Sequence, residues 1–128
     1  MICDFTIEGR LVSLNDVINC ARTHKYKSAK LKKEQTEYVT WHCPKIRLSS
    51  PVYAVIVFYE VDKRRDVDNI SSSAKFIFDG LVSKGVLPND NQKYLKQYLP
   101  IIQHGEPHIH VFLYAHFSDA LKKCGEFV

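Results

Sequence analysis

The residues of this chain best suited to chemistry gather in two short stretches. RRDVDN, at 64–69, sets two aspartates one residue apart behind paired arginines, and LPNDNQ, at 87–92, adds a third in a polar loop. In an extended chain alternate side chains share a side, so Asp66 and Asp68 are expected to point the same way. Two carboxylates that close repel each other unless a cation lies between them. A strand–helix–loop excursion that carries Asp90 back beside the strand exit would complete a set of three. Hard divalent cations, Mg²⁺ or alternatively Mn²⁺, take oxygen ligands of this kind together with substrate phosphate. The chemistry implied is hydrolysis at phosphorus, in which such an ion activates water and offsets charge developing on the phosphate. Lys75, one turn into the following helix, is expected to reach back toward the acids, either to position water or to stabilise the transition state. Arg64 and Arg65 would hold flanking phosphates.

Simpler roles compete for some of these residues. Asp68-Asn69 suits a turn and helix cap, Asp62 a strand end, and Asp79 a surface ion pair with Lys75 four positions earlier. His108 and His110 alternate on one strand face near His104 and Glu106, and His-x-His is a zinc-binding spacing. No cysteine lies close to them in sequence.

Charge distribution points to a polyanionic partner more clearly than the modest net charge of +4 does. Arg22, Lys25, Lys27, Lys30, Lys32 and Lys33 fall within twelve positions that contain no acid. A patch of this kind binds phosphate backbones through counterion release and does not read sequence. A merely solvated helix face usually mixes its signs.

The elements that must position these groups follow from pattern. A chain of 128 residues is expected to form a single domain over 1–128. ICDFTI reads as a strand closed by Gly9, and SLND at 13–16 as a capping-box helix start. Helix then runs to about His42, with an interruption expected near the basic stretch. VYAVIVFYEV, 52–61, has the apolar, β-branched and aromatic content of a central strand covered on both faces. Ala74, Ile77, Phe78, Leu81 and Val82 form a core-facing helical stripe. A cap among Asn69 and Ser71–Ser73 starts that helix, and Gly85 stops it. KYLKQYLPII and HIHVFLYAHF read as strands around an HGEP turn, and Ser118 as the start of a short helix. Without strict βαβ alternation, the class is α+β: a mixed sheet with helices packed on it. No apolar run reaches membrane-spanning length, and the N-terminus lacks a signal-peptide pattern. Four scattered cysteines without a CxxC pair suit reduced thiols in a cytoplasmic protein.

Taken in order, RRDVDN, the helix KFIFDGLVSKGVL and the loop PNDNQ resemble the RusA family of Holliday junction resolvases, above all its phage and prophage members. The segment NDVINCARTHKYKSAKLKK resembles the family's basic N-terminal part, so the likeness covers most of the chain. It implies that Asp66, Asp68 and Asp90 are metal-binding catalytic carboxylates and Lys75 the catalytic lysine. It also implies a Mg²⁺-dependent, homodimeric endonuclease that nicks four-way DNA junctions in recombination and repair, in the cytoplasm of a bacterial host. ISSSA, between Asn69 and Lys75, is longer than in the shortest members, so the position of the lysine rests on the FDGL block.

Two alternatives remain at this level. One is a non-catalytic binder of branched DNA, and the other a metal-dependent nuclease acting on flaps, forks or RNA. Phe76 points off the apolar stripe onto a face with Gly80 and Ser83. That face would be buried in a dimer, covered by the N-terminal helix, or left at the surface.

Overall fold

A computed structural model describes residues 1–127. Among them are four strands and five helices: β1 (Cys3–Glu8), α1 (Leu14–Thr23), α2 (Lys25–His42), β2 (Val52–Glu60), α3 (Val67–Ser72), α4 (Ala74–Lys84), β3 (Leu95–His104), β4 (His108–Tyr114) and α5 (Phe117–Gly125). The architecture is α+β, as expected. Local chemistry sets most boundaries. Ser13 and Asp16 form a reciprocal capping box, with Ser13 Oγ accepting from Asp16 N at 3.1 Å and Asp16 Oδ2 from Ser13 N at 3.0 Å. The helical run breaks at His24, inside the basic stretch. Gly85 ends α4 in the left-handed region, at φ 87°, where a side chain would be strained.

The strand order is β1-β4-β2-β3. β2 pairs antiparallel with β4 and parallel with β3. Ala54, Ile56 and Phe58 pack into the main core beneath the helices, while Val55 and Val57 join Phe112, Tyr114 and Ala120 on the opposite face. Period two thus feeds two apolar layers, which explains the unbroken apolar run of β2. The HGEP turn carries the chain over the exit end of β2, with Gly105 N donating to Glu60 O at 3.0 Å. Among the described residues no helix is long and apolar enough to cross a membrane. All four cysteines are free thiols, and burial pushes that of Cys43 up to about 12, so it is an inert core residue.

Phe76 requires a correction. It is 2% exposed and belongs to the main core. The face it shares with Gly80 lies against α2, so a monomer already covers it and Phe76 is not an exposed interface residue. Gly80 shows how close the two helices come. A Cβ there would meet Val39 Cγ1 at 2.4 Å and the Thr40 backbone nitrogen at 3.2 Å. Gly80→Ala should therefore force the helices apart and cost about 1–3 kcal/mol, in line with overpacked cores. Urea unfolding reads this directly. An unchanged midpoint would mean that the α2–α4 packing yields freely.

Candidate active site

β2 ends at Glu60, and the chain must then turn to start the crossover toward β3. In that turn Arg64 and Arg65 pair with other carboxylates than those of the aspartates that follow them. Arg64, 90% exposed at its side chain, pairs with Asp62 at 3.7 Å. Arg65 folds inward, donating to Glu60 Oε1 at 3.4 Å and to the Leu11 carbonyl at 3.4 Å. Glu60 is 5% exposed and also receives Arg10 at 3.5 Å. A carboxylate this deeply buried needs cationic partners, and these two arginines supply them. Arg65 is thus partly committed to the fold, while Arg64 projects into solvent. Neither Glu60 nor Arg10 stands out in the sequence, because a glutamate at a strand end and an arginine in a loop carry no pattern.

The chain does not remain extended through RRDVDN. Asp66 occupies the N-cap position of α3, and Asp68 lies in its first turn. Period two therefore does not align the pair. Both are exposed. Helix starts favour acids through the backbone dipole and through capping, but Asp66 makes no side-chain cap bond. Asp68 Oδ1 accepts only from the adjacent Asn69 nitrogen, at 3.0 Å. Neither carboxylate has an ion-pair partner among the described residues, although two arginines precede them in the chain.

ISSSA is absorbed by a break: α3 stops at Ser72, Ser73 sits between the helices, and α4 starts at Ala74. Lys75 consequently falls in the first turn of α4. It binds Asp79 Oδ1 at 3.0 Å, the surface pair expected, and Asp90 Oδ2 at 3.5 Å. The loop after α4 thus returns Asp90 to the first turn of that helix, where Lys75 holds it.

Among the described residues no three His, Cys, Asp or Glu side chains form a group that would hold a metal by themselves. Asp66, Asp68 and Asp90 are therefore not a ready-made cage. Their hard oxygen donors match Mg²⁺ in its looser mode, in which one or two carboxylates, waters and a substrate phosphate share the ion. His110 Nε2 lies 2.7 Å from Asp4 Oδ2, and the His108 ring stacks on Tyr59 at 4.0 Å. His104 donates to the Val61 carbonyl at 2.6 Å. The histidines are thus engaged separately.

Two surface hollows flank Arg65. One, of about 400 Å³, is lined by Glu60, Asp62, Asp66 and His104; the other, of about 390 Å³, by Arg10, Ser13, Asp16 and Asn69. Asn15 Nδ2 donates to Asn69 Oδ1, which ties the start of α1 to the aspartate turn. The basic residues lie on exposed positions of α1 and α2. Lys30 and Lys33 pair with Glu34 and Glu37 at 3.7 and 4.0 Å. Arg22, Lys25, Lys27 and Lys32 make no ion pair among the described residues.

No protein-family model matches the chain, and a search of the curated proteins finds no match either.

The Asp79 carboxylate, hydrogen-bonded to Lys75 Nζ, holds that ammonium above its ordinary range, with partial burial opposing and Asp90 assisting. Lys75 is therefore a cation at neutral pH and not a proton acceptor. Because its folded pKa is raised, the stabilisation is complete at neutral pH. It is lost only as the pH climbs through that folded pKa, above the ordinary lysine value of 10.5. Asp79→Asn should lower the Lys75 pKa, as read by NMR titration of its side-chain resonances. An unmoved titration would mean that Asp90 alone sets it.

Proposed function

We propose that the protein is a Mg²⁺-dependent, structure-selective DNA endonuclease that resolves four-way junctions by paired nicks, working as a homodimer. The observation that carries this reading is the pair Asp66 and Asp68: two exposed carboxylates in one turn without a cation, while the neighbouring arginines serve Asp62 and Glu60. An arrangement with so little structural return is economical where a divalent ion arrives with the substrate. The order of RRDVDN, the lysine-bearing helix and PNDNQ, similar to the RusA family, supports the same reading.

Asp66 and Asp68 would hold the ion, with Asp90 joining from the Lys75 pair. A bound Mg²⁺ supplies Lewis-acid polarisation of the phosphodiester and a more acidic attacking water. Lys75, cationic and anchored on both sides, stabilises negative charge developing on the phosphate. Arg64 and the unpaired bases of α1 and α2 grip the backbone, which gives selection by shape more than by base sequence. A junction has two symmetry-related strands to cut, and a twofold dimer brings two equivalent sites. Non-catalytic binding of branched DNA is the second reading, favoured by one fact: Asp90 is already neutralised by Lys75.

Cleavage of an end-labelled synthetic junction, beside its matched linear duplex, tests the proposal. Paired nicks in the junction alone are expected, dependent on Mg²⁺ and lost in EDTA. Asp68→Asn should abolish cutting while leaving junction binding intact or tighter. Binding without cutting, in Mg²⁺ and in Mn²⁺, would leave the second reading. Replacing Lys25, Lys27 and Lys32 together with glutamine should flatten the salt dependence of binding, by roughly 0.9 in the log–log slope for each phosphate no longer neutralised. An unchanged slope would place the DNA elsewhere.

A further inference from the structure

At the other end of α4, away from Lys75, stands the chain's single tryptophan. Trp41, in the last turn of α2, is 85% exposed. Indoles are usually well covered, and one left in water forgoes a large hydrophobic gain. Trp41 borders a surface hollow of about 420 Å³ lined by Thr40, Lys45 and Lys84. An adjoining hollow of about 250 Å³ continues past Lys45, Ile46, Arg47 and Lys84. No acid lines either one. Lys45, Arg47 and Lys84 form no ion pair among the described residues, and Glu37, one turn before Trp41, is taken up by Lys33 at 4.0 Å.

We propose that this surface binds an unpaired nucleobase and its flanking phosphates, with the base stacked on Trp41 and the phosphates met by Lys45, Arg47 and Lys84. Three uncompensated cations around one indole disfavour an apolar protein partner, since docking would strip water from charges and leave them unpaired. A second copy seated face to face would bring the same positive charges together. A single strand satisfies both features at once: its backbone is anionic, and every base has a face that stacks on an aromatic ring. A closed duplex keeps those faces stacked inside, whereas a branch point or a displaced strand exposes them. Lys75 and Lys84 are nine residues apart on α4, or about 14 Å at the helical rise. A strand met by Lys84 beside Trp41 would therefore lie within a few nucleotides of Lys75 and its partner Asp90. The proposal rests on nucleic acid being the ligand of the protein, but not on cleavage.

Trp41 is its own reporter. In EDTA, oligothymidylate of about ten nucleotides, within the usual single-strand site sizes, should quench its emission saturably. Heparin, which carries charge without bases, should leave the emission nearly unchanged. By anisotropy of a labelled oligonucleotide, Trp41→Ala should weaken binding roughly ten-fold, within the usual range for removing one base–aromatic stack. Trp41→Phe should retain most of the affinity, and Lys45→Glu with Lys84→Glu should lose it. Binding that leaves the emission unmoved, or equal affinity in Trp41→Ala, would overturn the proposal. So would equal quenching by heparin, or a dimer by light scattering that Trp41→Ala abolishes, which would place a second copy on this face. Quenching that persists in Asp68→Asn, or in a wild type that never cuts, would separate failure of the nuclease reading from failure of this one.

Discussion

Parallel pairing of β2 with β3 is the constraint on which the rest of the molecule depends. Strands side by side in the same direction cannot be joined by a tight turn, so the chain must leave the end of β2 and cross back over the sheet. Here α3 and α4 make that crossing. It places the start of α3, and with it Asp66 and Asp68, just beyond the carboxyl end of the central strand. Open sheets with parallel strands commonly bind ligands beyond that end. The position of the acids is thus a consequence of topology, whatever chemistry they serve.

Burial of Glu60 adds a second layer of control. With Arg10 and Arg65 drawn onto one carboxylate, the turn before α3 is tied to the loop before α1. The same pairing removes Arg65 from Asp66, which would otherwise have it as the nearest source of positive charge along the chain. A buried ion pair contributes little net stability against an apolar alternative, yet removing one member strands the other. Its value here is geometric: it fixes the turn that presents the aspartates.

Much of the fold is legible in the sequence because it depends on local rules. The Ser13 capping box, the Gly85 stop, the doubly covered β2 and the stripe from Ala74 to Val82 each follow from side-chain type and period, and all are present. What sequence cannot supply is partnership across the chain. Phe76 lies off the Ala74 stripe, and only α2, some forty residues earlier, decides that it is core. Asp66 and Asp68 read as extended because they follow a strand, but helix α3 begins at Val67 and ends the period-two register. Lys75 meets Asp79 as their four-residue spacing suggests. That it holds Asp90 of the three acids, and not Asp66 or Asp68, depends on where the loop after α4 returns. Trp41 gives no signal either, since exposure is a property of the assembled surface.

Everything proposed for catalysis requires the aspartate turn to be a divalent-ion site. Titrating the isotopically labelled protein with substoichiometric Mn²⁺, and following paramagnetic broadening of backbone amide signals, tests this without any DNA. The amides of Asp66, Asp68 and Asn69 should broaden first, with those around Asp90 following, and Asp68→Asn should suppress the effect. Broadening centred on His108, His110 and Asp4 instead, or none above a diffuse background, would contradict it.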